Sequence, residues 1–132
     1  MRKGKLGILL VLLCLLVSGM TAFAETKTFS FVIKPSEYDA GNWTAEKADS
    51  EQRAYITPTS ISGSGRVWAA VYDKNGGTQY TYDVAIEPGG TYRHTSDYYK
   101  TGYAKTIYRL LGGDNEWEVT SNTFTVAGRW TP

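Results

Sequence analysis

The chain has 132 residues, with 14 Lys and Arg against 13 Asp and Glu, one cysteine and one histidine. Charges of both signs are interspersed and no basic stripe is present, which excludes the electrostatic footprint of a nucleic-acid binder and argues against docking on an anionic membrane. A single Cys and a single His leave too few ligands for a structural zinc site.

Arg2, Lys3 and Lys5 open the chain, an apolar run from Leu6 to Val17 broken only by Gly7 follows, and Ala22-Phe23-Ala24 closes the segment. A basic head, an apolar core and a small-residue exit make a secretory signal peptide. Ala22 and Ala24 are the expected signal-peptidase site, because only small side chains fit the shallow pockets there. Residues 1–24 are therefore read as the signal peptide and 25–132 as one secreted, extracellular all-β domain beginning at Glu25. The apolar run is shorter than the roughly 20 residues of a membrane-spanning helix, so no membrane association is expected after cleavage. Cys14 stands in mid-core behind Leu13, where lipidation requires a small residue. Cleavage removes Cys14, Met1 and Met20 together with three cations and no acid, and leaves a net charge of −2. Without disulfides the domain must fold on packing alone, and Trp, Tyr and Phe are its main large apolar supply.

Strand signals dominate the remainder. Phe29, Phe31 and Ile33 alternate with polar positions, the pattern of a half-buried strand that Pro35 ends. Residues 36–52 are polar and irregular and read as a long loop or frayed edge. A short strand over 53–57 is expected to stop at Pro58, with a Ser/Gly turn over 60–65. Residues 66–72 carry apolar groups on both faces, as a central strand would. Asp73-Lys74-Asn75-Gly76-Gly77 predicts a hairpin turn with positive φ at Asn75 and Gly76. Its partner strand, 78–86, would place Tyr80, Tyr82, Val84 and Ile86 on one side. After a turn at 87–90 come a short strand over 91–95, a loop or edge over 97–102 and a strand over 103–111. Gly112-Gly113-Asp114-Asn115 reads as the next turn, 116–120 as a strand pairing back, and 124–130 as the last strand, with Phe124, Val126, Gly128 and Trp130 on one face. Seven to eight short strands with turn signals between them predict a single antiparallel β-sandwich or barrel.

No residue pattern marks a catalytic, metal or cofactor site. His94, the lone histidine, reads as a solvated surface residue, and no Gly-x-Ser-x-Gly elbow accompanies it. Asp73-x-Asn75-x-Gly77 resembles the start of a calcium loop, but it lacks the downstream bidentate acid and matches an ordinary turn equally well. The aromatic content points elsewhere. Tyr and Trp stack on the apolar faces of sugar rings while their polar tips stay wet. The densest cluster is Tyr92, His94, Tyr98 and Tyr99, with Tyr103, Arg93 and Lys100 beside it. These first four are the candidate ligand-binding residues, weighed against simple core packing and cross-strand pairing. Tyr98 and Tyr99 serve recognition together only if both stand exposed on a loop or an edge.

Phe29-Ser30-Phe31 and the closing stretch 124–132 together resemble a group of small secreted β-sandwich proteins of Gram-positive bacteria. That group has no established activity, so the resemblance implies a fold and a compartment and carries over no functional residue. Ser96-Asp97-Tyr98-Tyr99-Lys100, in a cysteine-free chain rich in Tyr and Gly, is similar to lactococcin-type secreted bacteriocins. The chain is longer than those and lacks the Trp and Gly expected near the mature N-terminus. The expected function is an exported, non-enzymatic binding or interaction module acting at the cell wall, with cell-wall glycan or another surface protein as partner and no cofactor. A bacteriocin-like protein or its partner, and a glycan-acting enzyme with an unmarked carboxylate pair, are the alternatives.

Overall fold

The computed structural model describes residues 25–35, 37, 43–63, 65–114 and 123–132. The signal-peptide expectation for 1–24 and the strand expected at 116–120 lie outside them. Eight strands follow in chain order: β1 (Lys27–Ile33), β2 (Trp43–Lys47), β3 (Arg53–Ser62), β4 (Val67–Asp73), β5 (Val84–Ile86), β6 (His94–Asp97), β7 (Thr106–Gly113) and β8 (Phe124–Thr131). They form two four-stranded antiparallel sheets, β1-β8-β3-β6 and β2-β7-β4-β5. Among the described residues each sheet keeps two free edges, so the sheets do not close on each other and the barrel alternative is corrected.

Period-two alternation builds the core. β1 and β8 pair with Phe29 opposite Gly128, Phe31 opposite Val126 and Ile33 opposite Phe124, all on the inner face. Ala54 and Ile56 of β3 extend that face. Against it pack Ala45, Val67, Ala69, Val71, Val84, Ile86, Tyr108 and Leu110 of the second sheet. Each large side chain so removed from water contributes roughly 1.5–3 kcal/mol. Trp130 is the largest fully buried side chain. Gly112 sits under the Phe31 ring, where a Cβ would come within 2.6 Å of Cε2.

Several expectations are revised. The stretch read as loop contains β2, the edge strand paired to β7 from Trp43–Leu110 to Lys47–Thr106. Its sequence hid the strand because one inward residue is Lys47. That side chain is fully buried, with Nζ 3.2 Å from both Asp49 Oδ1 and the Pro132 carbonyl and 5.1 Å from the centre of the Tyr98 ring. β3 does not stop at Pro58: it runs on to Ser62 through a register shift between Pro58 and Ser60. β6 pairs only with Arg53 to Ile56, so at Pro58 one side of β3 is an edge, where the missing N–H is tolerated. β7 likewise continues through Gly112 and Gly113 instead of turning there.

The hairpin at 73–78 forms, but by a different turn. Only Gly76 takes positive φ, at +76°, and Asp73 organises the rest. Its Oδ1 accepts hydrogen bonds from the Asn75 and Gly77 amides, each 3.0 Å. Chiefly the Gly77 N–H, opposed by partial desolvation and helped by the Asn75 N–H, holds the Asp73 carboxyl below the usual carboxylate range. The stretch with a calcium-loop likeness is thus an Asx-capped turn. The returning strand pairs through Gln79 opposite Tyr72, leaves the sheet, and rejoins it only as β5.

Candidate functional site

The departure of residues 79–83 from the second sheet positions the most exposed aromatic pair. Thr81 turns inward and is buried; its Oγ1 accepts the Val71 N–H at 3.0 Å, replacing a ladder carbonyl. Thr81 then bridges to Tyr98, the Tyr82 N–H donates to the Asp97 carbonyl at 3.1 Å, and Ser96 Oγ donates to the Tyr82 carbonyl. The segment therefore spans from one sheet to the end of β6 in the other. That crossing turns Tyr82 outward, 63% exposed, away from the inner face that Val84 and Ile86 share.

Tyr99 follows β6 and meets Tyr82 there. The two ring centroids are 5.2 Å apart with the planes tilted by 57°, and Tyr99 is 45% exposed. Several hydrogen bonds hold the base beneath them. Tyr99 N–H donates to the Tyr80 carbonyl at 3.0 Å, and Tyr99 Oη donates to the Gln79 carbonyl at 2.9 Å. Gln79 Nε2 donates to the Thr81 carbonyl at 2.8 Å and to Asp83 Oδ1 at 2.9 Å, while its Oε1 accepts from Tyr72 Oη at 3.0 Å. From the other side, Gln52 clamps the loop: its Oε1 accepts the Gly102 N–H at 2.8 Å and its Nε2 donates to the Gly102 carbonyl at 2.9 Å. The loop after β6 is thereby tied to the residue that precedes β3.

The four sequence-selected residues separate. Tyr98 is not exposed beside Tyr99: alternation carries it inward, edge-on to Tyr108 with centroids 5.9 Å apart, and its hydroxyl is buried without a hydrogen-bond partner among the described residues. His94 is not solvated. It is 8% exposed, and Nε2 lies 3.1 Å from the Gly90 carbonyl, so the imidazole pins the 87–90 turn to β6. Tyr92 is exposed and stacks on His94, with centroids 4.3 Å apart, at the opposite end of β6 from Tyr99. Tyr99 alone of the four joins the aromatic pair. Tyr82, Gln79 and Asp83 were missed because their alternation is that of an unbroken strand, and only the inward turn of Thr81 betrays the crossing.

Among the described residues no group of three or more His, Cys, Asp or Glu stands close enough to hold a metal ion. No protein-family model matches the chain, and no curated protein or solved structure is similar to it at a significant level.

Proposed function

We propose that residues 25–132 are the exported part of a secreted, non-enzymatic binding module that takes cell-wall glycan on the Tyr82–Tyr99 pair. The observation that carries this reading is an exposed, mutually tilted ring pair fixed on a hydrogen-bonded frame, with a carboxylate at its margin. Exposed tyrosine faces give apolar contact to the C–H faces of a pyranose, and the Tyr99 hydroxyl, bound to the Gln79 carbonyl, fixes the angle of its ring. Asp83 accepts from Gln79 through Oδ1, which leaves Oδ2 to accept from sugar hydroxyls. Rigidity matters because a ring already held in place loses little conformational freedom on binding.

Retention of the purified domain on isolated cell wall and on soluble wall glycan tests the reading. Tyr82→Ala and Tyr99→Ala are expected to abolish retention; Tyr82→Ala should change stability by no more than about 0.5 kcal/mol, the usual range for exposed positions, and Tyr99→Ala should cost about 0.5–1.5 kcal/mol more because its hydroxyl donates to the Gln79 carbonyl. Tyr92→Ala, at the other end of β6, should bind as the parent does. Undiminished retention of the double variant would remove the pair from the function.

A further inference from the structure

We propose a second binding site, for a phosphoryl group, on the outer face of the β1-β8-β3-β6 sheet. It is independent of the aromatic pair. A cleft of about 220 Å³ opens there, lined by Thr26, Tyr55, Thr57, Arg93, Arg129 and Thr131, with Trp130 as its buried floor. Strand register assembles it. Arg129 on β8 stands between Thr28 of β1 and Thr57 of β3, and Thr131 stands opposite Tyr55. Thr26 Oγ1 lies 3.0 Å from Thr131 Oγ1 and closes one side. Arg93 reaches in from the chain before β6 and lays its guanidinium over the Tyr55 ring, 4.8 Å from the centroid.

The arginines of the domain are unequally partnered. Arg53 and Arg66 each face a carboxylate, Asp97 at 2.8 Å and Glu87 at 2.9 Å. Among the described residues Arg93 and Arg129 make no ion pair, although the domain as a whole carries more acids than bases. Glu51 accepts from Tyr55 Oη at the far end of the ring. Two guanidinium forks and three threonine hydroxyls thus surround a space too small for a drug-sized ligand and suited to a compact anion. Guanidinium groups bind oxyanions through paired, charge-assisted hydrogen bonds. A carboxylate has two oxygens to offer this many donors. A phosphoryl group has three or four, spread tetrahedrally, and can engage both forks and the hydroxyls together.

Amide and arginine Nε–Hε NMR signals of the 15N-labelled domain, titrated with inorganic phosphate, glycerol 3-phosphate and acetate, test the site. Saturable shifts confined to Arg93, Arg129, Thr57 and Thr131 are expected with both phosphates and not with acetate. The tighter-binding phosphate tells a free-ion site from one for a phosphoryl group carried on a polyol. Arg129→Gln and Arg93→Gln should each weaken binding about tenfold, with amide signals elsewhere and retention on glycan unchanged. Scattered or non-saturating shifts, or acetate shifts as large as those of phosphate, would overturn the proposal. So would parent-like phosphate binding by both variants.

Discussion

Tyr98 packs its ring on Tyr108 and under Lys47 Nζ, and its buried hydroxyl meets no hydrogen-bond partner among the described residues. Burial, then the neighbouring Tyr108 and Asp49, push its ionisation far above the ordinary tyrosine value of 10.0. Tyr108 and Tyr55 are displaced in the same direction, by burial and by the Glu51 hydrogen bond respectively. A group whose pKa is raised on folding keeps its proton in the native state while the unfolded chain loses it. Its stabilising contribution is complete below pH of about 10 and is lost as pH rises beyond that value. Tyr98→Phe removes one such group and a desolvated hydroxyl together. Urea unfolding near pH of about 8 should show the variant unchanged or more stable by up to about 1 kcal/mol. At pH of about 11 it should retain more of its stability than the parent, with Tyr55 and Tyr108 accounting for the remainder of the loss. A clear destabilisation at the lower pH would mean that the hydroxyl has a partner in solution.

The seam between β3 and β8 depends on one close approach. Gly128 of β8 lies opposite Pro58 of β3, and a Cβ there would meet the Thr57 carbonyl oxygen at 2.2 Å and Pro58 Cα at 2.7 Å. Backbone cannot swing aside as a side chain can, so Gly128→Ala must separate β3 from β8 at the irregularity following Pro58. Overpacking of this kind costs about 1–3 kcal/mol or more, and the urea midpoint should fall accordingly. Gly89→Ala is the comparison: its would-be Cβ meets nothing within 4 Å, and only its φ of +82° counts against alanine. β1, β4 and β8 are legible in the sequence because their inward residues are apolar without exception. β2 is not, because an inward lysine satisfied by a carboxylate, a carbonyl and a ring face looks like a surface residue in a string of letters. The aromatic pair is half legible. Tyr99 follows from its neighbours, whereas Tyr82 requires knowing that residues 79–83 cross between sheets, and that is a matter of tertiary pairing.

At the scale of the whole molecule, both candidate sites are products of long-range pairing. The Tyr82–Tyr99 pair needs both sheets, because its two residues come from the segment that leaves β4 and from the end of β6. The phosphoryl cleft needs the first and last strands side by side, with β3 beyond them. Among the strand pairs of the described residues, only β4–β5 joins neighbours along the chain; β1–β8, β8–β3, β3–β6, β2–β7 and β7–β4 all join distant segments. Non-local pairing incurs loop-closure entropy before any contact compensates for it, so refolding is expected in the millisecond-to-second range typical of all-β sandwiches. Stopped-flow tryptophan fluorescence of a variant in which Trp43, Trp68 and Trp117 are replaced by Phe, leaving the buried Trp130 as reporter, follows it. β8 is the strand that brings β1 and β3 together, and Val126 is fully inward on it, whereas Val84 lies on the short edge strand β5. If docking of β8 is the slow step, Val126→Ala should slow refolding in proportion to its loss of stability. Val84→Ala should act mainly by speeding unfolding. The reverse pattern, or refolding within microseconds, would move the nucleus to the local β4–β5 hairpin and make the assembly of both sites a late event.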